Sequence, residues 1–409
     1  MNILILAGEI SGDIYGTALA KQLKLLSPDI HLFGVGGAGL KSCTDTYIYE
    51  IAHLHALGIV EVFQKRKIFK ALYKRLEELI QTQRIDKVIL IDFQFYNFKL
   101  ARLFQKYNIP INTFITPNFW VWKDIKRAQK LIQYSEKIIT IFKQEYEFYK
   151  QFTDKAYYFG HPLIELFNSQ EKYEERSKRL PDAEMERETG LERKAITERE
   201  AGMEGAAGME RIITFFPGSR EQELRFLLPV MIKTIKALQN HSESGAFHFI
   251  MSLSSPYFEA QIKTAFKKYG IHTISLVQGR SDALYKQTDV LVCASGTTTL
   301  EAMLHGVPMI VLGALSPLTY FIAKYIVRLH LPFIALPNII AQKEIVPEFK
   351  QFELIPEKIC QSVLTLLQKQ NQEKMTADYE QVKKELLCKT SKPLLGVAEC
   401  VLRSKLESG

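Results

Sequence analysis

Apolar runs of strand length recur along the chain, and two of them end in a glycine turn that opens a helix-like stretch. The first is "ILILAGEISGDIYG", residues 3–16, and the second is "RIITFFPGSREQE", residues 211–223. After the first come "IDKVILIDF", "IPINTFITP", "KIITIF" and "KAYYFGHP". After the second come "AFHFIMSLSS", "HTISLVQG", "DVLVCASGTTTLEAML" and "VPMIVLG". Buried parallel strands read as continuous apolar runs, and their alternation with helical stretches builds a sheet covered on both faces. The expectation is an α/β protein with two Rossmann-like domains facing a cleft.

A chain of 409 residues is too long for one ordinary core, which agrees with two domains. The expected division is 1–168 for the first domain, 169–210 for a linker or insertion, 211–385 for the second domain and 386–409 for a closing helix. The insertion carries "ERETGLERKAITEREAGMEGAAGMER", a repetitive stretch rich in Glu, Arg and Gly and without aromatics. Such text is expected to be disordered or loosely helical, and no chemistry is assigned to it.

A net charge of +8 points to an anionic partner: a nucleic acid, an acidic membrane surface or a phosphorylated ligand. A generally basic surface explains the charge equally well. The five cysteines, Cys43, Cys293, Cys360, Cys388 and Cys400, are scattered and without CxxC spacing. That argues against a disulfide framework or a zinc site and for a reducing cytosol. No leader peptide is read at the N-terminus. Ala302–Ala323 carries no charge and is long enough to span a bilayer. Pro308, Gly313 and Pro317 interrupt it, and a core reading is expected.

Two turns suit an anion. In "FFPGSREQE", Gly218 permits a tight turn and Arg220 follows near a helix start, so backbone amides and a guanidinium can hold a diphosphate. In "CASGTTTLEAML", Ser295, Gly296 and Thr297 open a helix. Glu301 on its first turns can accept bonds from ribose hydroxyls, or serve as the partner in a capping box. Both turns in one α/β domain indicate a nucleotide diphosphate. The opening turn carries the carboxylates Glu9 and Asp13, so the first domain is expected to take hydroxyls rather than phosphates. Asp92 ends the strand of "LIDFQFYNF" at the rim where open sheets meet ligands. There it can deprotonate an attacking hydroxyl or cap the next helix. His161, in "FGHPL", is read as structural. No metal site is expected, since neither HExxH nor a Cys/His cluster occurs.

"QKRKIFKALYKRL" differs in kind: Lys65, Arg66, Lys67 and Lys70 accompany Ile68, Phe69 and Leu72 on an apolar stripe. Such a helix can lie on anionic lipid or pack its stripe on the sheet; the lipid reading is the expectation. Nucleic acid is not expected, because no recognition motif accompanies the charge.

Together, "AGEISGD", "LGIVEVF", "FGHPL", "PGSREQE", "SGTTTLEAML" and "LPNIIAQKEIVPEFKQ" resemble the lipid-A-disaccharide synthase family over most of the chain. The resemblance implies a GT-B fold and an inverting glycosyltransferase without cofactor. The implied substrates are UDP-2,3-diacylglucosamine and 2,3-diacylglucosamine 1-phosphate, giving a β-1,6 disaccharide and UDP. By position it implies Asp92 as the base, Glu9 and Ser11 as the opening turn, Arg220 on the diphosphate and Asn338 in the "LPN" motif. Glu9 joins Asp92 as a candidate catalytic carboxylate, and Glu301 resembles a ribose-binding glutamate. It further implies a cytoplasmic protein peripheral on the anionic inner membrane, with a homodimer as one candidate assembly. Two departures stand out: Phe95 takes the place of a second acid, and "PNFWVW" replaces "PSVWAW" while keeping Trp120 and Trp122. The rival readings are a UDP-sugar epimerase of the same fold and a non-catalytic UDP-lipid-binding protein.

Overall fold

A computed structural model describes residues 1–50, 61–92, 97–168, 211–241, 247–271, 274–279, 282–315, 332–387 and 392–403; for residues 10, 61–68 and 97 it describes the backbone alone. The 169–210 segment, Phe95 and the side chains of Lys65, Arg66, Lys67 and Ile68 therefore lie outside the described residues.

The first sheet contains β1 (Asn2–Ala7), β2 (His31–Gly36), β3 (Thr46–Glu50), β4 (Lys87–Ile91), β5 (Ile111–Phe114), β6 (Lys137–Thr140) and β7 (Ala156–Tyr158). Its order is β3-β2-β1-β4-β5-β6-β7, every pair parallel. The second contains β8 (Arg211–Phe216), β9 (Phe247–Leu253), β10 (Ile274–Gln278), β11 (Val290–Ala294), β12 (Met309–Gly313) and β13 (Glu348–Lys350). Its order, β10-β9-β8-β11-β12-β13, is also parallel throughout. The central strands are buried on both faces, as their unbroken apolar text requires: Ile3 to Ala7 are 0% exposed.

Around the first sheet lie α1 (Ile10–Leu26), α2 (Ala38–Cys43), α3 (Glu61–Thr82), α4 (Asn97–Lys106), α5 (Phe119–Trp122), α6 (Ile125–Tyr134) and α7 (Lys143–Lys150). The second unit carries α8 (Glu221–Gln239), α9 (Glu259–Tyr269), α10 (Asp282–Gln287), α11 (Thr298–Leu304), α12 (Leu336–Ala341), α13 (Pro356–Leu366) and α14 (Lys369–Leu386). Both sheets reverse their winding beside the first strand, between β1 and β4 and between β8 and β11. Ligands of doubly wound sheets bind outside the strand ends at such points.

The last helix, α15 (Pro393–Leu402), returns to the first unit and packs on α1. Its C-terminal carbonyls are held from beneath the first sheet. Lys87 donates to the Val401 carbonyl at 2.5 Å, and Lys137 donates to those of Cys400 and Arg403 at 2.5 and 2.6 Å. Ammonium groups at a helix C-terminus satisfy both its orphan carbonyls and its dipole.

The α3 helix corrects one expectation. Phe69 is 7% exposed, and Leu72 and Leu76 are 0% exposed, packed among Leu4, Leu6, Phe33 and Leu103. Phe69 and Leu72 are core residues, because the first sheet needs an apolar cover on this face; they do not face lipid. Lys70 is exposed. Among the described residues, no helix is long and apolar enough to cross a membrane.

Candidate active site

The reversal point of the first sheet brings the opening turn against the end of β4. Ser11 Oγ donates to Asp92 Oδ2 across a long 3.5 Å. Asp92 sits at φ 47°, in the left-handed region that non-glycine residues avoid. An aspartate tolerates that conformation better than most residues, and a strained residue at a strand end marks a site that the surrounding fold enforces. Gly12 allows the approach, since a Cβ there would stand 3.3 Å from the Ile91 carbonyl oxygen and 3.6 Å from Asp92 Cβ.

The reversal point of the second sheet supplies Arg220. Gly218, at φ 106°, lets the chain turn between β8 and α8, and a side chain in its place would overlap the Glu223 carboxylate. Glu223 Oε2 accepts the N–H groups of Ser219 and Arg220 at 2.9 and 3.2 Å. The amides that the sequence offered to a diphosphate are thus held by the chain's own acid, four residues after Ser219. The guanidinium remains directed at the cleft. Its Nη1 is 3.4 Å from Glu223 Oε1, and its Nη2 is 3.7 Å from Glu9 Oε2 of the first unit. Partial desolvation beside the neighbouring unit works against the Arg220 charge, but Glu223, Glu9 and Asp92 outweigh it and hold its pKa above the usual value. Glu9, Asp92 and Arg220 therefore form one electrostatic cluster contributed by both sheets.

Beside Arg220, β11 runs into the second turn. Ser295 Oγ donates to the Ile334 carbonyl at 2.6 Å, and Gly296 has φ 151°. Thr297 is the N-cap residue of α11 without a side-chain capping bond. Glu301 does not complete a capping box: Tyr285 OH donates to its Oε2 at 2.9 Å, which aims the carboxylate.

Two residues have other work than the sequence suggested. Asp13 is not a sugar ligand. Its Oδ1 accepts from the Gly37 and Leu40 amides at 2.7 and 3.1 Å, and its Oδ2 accepts from Gly39 at 2.9 Å. It caps α2, satisfying three orphan donors with one carboxylate. Asn338 is not available to substrate either; it is 0% exposed and its amide is saturated. The oxygen accepts from Ile345 and Val346 N–H at 2.8 and 2.9 Å, and the nitrogen donates to the Val346 carbonyl and Glu348 Oε1, both at 2.8 Å. Glu348 in turn receives the Ile334 and Ala335 amides, the latter at 2.7 Å. Asn338 thus fixes the loop whose Ile334 carbonyl holds Ser295.

Sequence reasoning passed over Glu223, Tyr285, Glu348 and the buried Glu145. For Glu223 a signal exists in "SREQE", an acid three residues into the helix that begins at Glu221. For the others the partner lies on a distant element. His161 is structural: it is 1% exposed, and its Nδ1 accepts the Leu163 N–H at 3.2 Å. Among the described residues, no group of three or more His, Cys, Asp and Glu is arranged to hold a metal ion.

The sequence profile of the family described as Lipid-A-disaccharide synthetase matches residues 3–188 and 191–397. The chain belongs to the lipid-A-disaccharide synthase family. The synthase of Persephonella marina is 30% identical over 390 residues, covering 93% of this chain and 94% of that one. The synthase of Geobacter metallireducens is 27% identical over 361 residues, covering 88% and 86%. As a synthase-family member, the protein is a glycosyltransferase of lipid A biosynthesis, for which the family implies a UDP-sugar donor and a lipid acceptor. Solved structures agree on the fold. UDP-GlcNAc 2-epimerase from Neisseria meningitidis, bound to UDP-GlcNAc, gives a TM-score of 0.63 at 13% identity with 98% of both chains covered. UGT71G1 of Medicago truncatula, complexed with UDP-glucose, gives 0.60 at 12% identity, again covering 98% of both. The two facing Rossmann-like domains expected from the sequence are the GT-B arrangement.

Proposed function

We propose that the protein transfers 2,3-diacylglucosamine from its UDP derivative to the 6-hydroxyl of 2,3-diacylglucosamine 1-phosphate, with inversion and with Asp92 as the base. The observation that carries this reading is the contact of Arg220 with Glu9 of the opposite unit, with Asp92 close enough for its charge to act on the same guanidinium. Asp92 takes the proton of the acceptor hydroxyl as that oxygen attacks the anomeric carbon. The bond from that carbon to the donor's phosphate oxygen breaks, and UDP leaves with the electron pair. Arg220 offsets the charge that gathers on the diphosphate, where a fixed cation stabilises departure most. One base and no enzyme nucleophile suffice for inversion, the same logic as in glycoside hydrolysis.

The second unit is proposed to hold UDP. The turn of Ser295, Gly296 and Thr297 faces the diphosphate, and Glu301, aimed by Tyr285, receives the ribose hydroxyls. The neighbours solved with UDP-GlcNAc and UDP-glucose share this fold and support a UDP-sugar here. Ser11 and Glu9 line the acceptor side.

We also propose that the first unit rests on an anionic membrane surface. Three helices share a basic face: Lys99 Nζ stands 5.5 Å over the Phe69 ring, Lys130 Nζ stands 4.9 Å over Phe98, and Arg102 bonds Tyr134 OH at 3.2 Å. Lys70 and Lys126 are exposed, and Trp122 and Ile125, close to Lys126 in sequence, are 40% and 45% exposed. These two side chains replace Phe69 and Leu72 as the apolar element of the docking face. Phosphatidylglycerol vesicles should bind the protein and release it as salt rises. Retention by a Trp122→Ser, Ile125→Ser, Lys126→Glu variant would refute this face.

The decisive experiment supplies purified protein with UDP-2,3-diacylglucosamine and the acceptor, with products read by mass spectrometry and anomeric coupling by NMR. A β-linked disaccharide with release of UDP is expected. Conversion of UDP-GlcNAc without acceptor would favour an epimerase, and binding without turnover would favour a carrier.

A further inference from the structure

Two neighbouring strands end in the same unusual way. Asp92 follows β4 at φ 47°, and Ile115 follows β5 at φ 62°. Left-handed backbone is strained for an L-residue, and a β-branched one is a true outlier there. The two distortions are coupled. The Asp92 N–H is shared between the Phe114 and Ile115 carbonyls at 3.4 and 3.3 Å. Where Ile115 points its carbonyl therefore helps to decide where Asp92 stands.

Ile115 is held on both sides. Its own N–H donates to the Ile139 carbonyl at 3.1 Å. The next residue, Thr116, is 4% exposed and donates its hydroxyl to Glu145 Oε1 at 2.5 Å. Glu145 is a carboxylate on the first turn of α7, only 1% exposed. Its Oε2 accepts the Ile141 N–H at 3.0 Å. An acid this deeply buried is costly unless its bonds are made. Capping α7 alone would not require the bond from Thr116, which reaches back across 29 residues to the rim of β5.

We propose that Glu145 and Thr116 are a positioning pair for the reaction: together they lock the left-handed turn at Ile115, which sets the backbone of Asp92. The inference rests on the assignment of Asp92 as the base. Neither residue touches substrate; both act through Asp92.

The test compares Thr116→Val, Thr116→Ser, Glu145→Gln, Asp92→Asn and the Asp92→Asn, Thr116→Val double variant in the disaccharide assay. Valine keeps the shape of threonine and removes the donor. Thr116→Val and Glu145→Gln should lower kcat about 10- to 100-fold, the scale of a misplaced catalytic group, with KM for the donor and UDP affinity by calorimetry unchanged. Thr116→Ser should restore most of that rate. The double variant should be no slower than Asp92→Asn alone, since no base is left to position. Normal kcat in Thr116→Val and Glu145→Gln beside an impaired Asp92→Asn would overturn the positioning role alone. A full additive loss in the double variant would do the same. Normal turnover in Asp92→Asn would overturn the base assignment and this inference with it.

Discussion

Arg220 of the second sheet and Glu9 of the first face each other across the cleft, Nη2 to Oε2, at 3.7 Å. The Arg220 side chain is 59% exposed, so the pair is a weak, solvent-screened contact rather than a lock. It shows which groups a bound diphosphate must contend with. The anion would enter a guanidinium already shared by Glu9 and Glu223.

Removing the arginine should expose its share of UDP binding. Arg220→Ala is expected to weaken UDP by about 1.5–3 kcal/mol, the range for a hydrogen bond to a charged group. Arg220→Lys should recover part of this, because an ammonium keeps the charge and loses the fork. Calorimetry with UDP reads both; unchanged affinity in the alanine variant would move the diphosphate elsewhere.

Removing the competitor should have the opposite sign. Glu9→Gln takes one negative charge from beside Arg220, so UDP should bind a few-fold tighter, in keeping with about 1 kcal/mol or less for an exposed ion pair. The gain should shrink in high salt. Weaker UDP binding in this variant would mean that Glu9 supports the nucleotide instead of competing with it.

Asn338→Ala should act on stability. It removes four hydrogen bonds and leaves the buried Ile345 and Val346 amides without their acceptor. A loss of roughly 2–4 kcal/mol is expected for a broken buried network, measured by urea unfolding. Asn338→Asp should fare little better, since it cannot donate to the Val346 carbonyl and sets a second carboxylate against Glu348. A variant of normal stability that loses only substrate affinity would return Asn338 to the binding site.

Acid should test His161. Burial pushes its pKa down to about 3, from an ordinary 6.5. Between those values the unfolded chain takes up a proton that the folded one refuses. The associated stability is fully present above pH 6.5 and is lost as pH falls through the window towards 3. The slope is about 1.4 kcal/mol per pH unit for one such proton. His161→Asn keeps an acceptor for the Leu163 amide and removes the titration. Its urea midpoint should therefore fall less between pH 6 and pH 4 than that of the parent, and parallel curves would contradict the assignment.

Fold class was legible because buried parallel strands leave a one-dimensional trace: "NILILA" and "RIITFF" are continuous apolar runs that become β1 and β8. The places of Asp92 and Arg220 just beyond strands were legible for a related reason, since the ends of such runs can be read from the text. What the text could not convey is who has already claimed a polar group. Asp13 and Glu9 lie in the same turn, yet one is consumed by the amides of α2 and the other faces the cleft. Asn338 reads as a ligand until Ile345, Val346 and Glu348 fold around it. The stripe of Phe69 and Leu72 has the spacing of a lipid-facing helix and of a core helix alike. Only the sheet beneath it decides. The Thr116–Glu145 bond joins a strand end to a helix start whose text carries no mark of their meeting.

The return of α15 to the first sheet has a consequence for how the chain is made. The helix that covers α1 follows the whole second unit in sequence, so synthesis delivers the first sheet long before the carbonyls of residues 400–403 that Lys87 and Lys137 hold. Until α15 is made, those two ammonium groups lack these acceptors and the side of α1 that α15 covers is bare. The first unit is therefore not completed by its own stretch of chain, and its last cover arrives only after the second unit has been made.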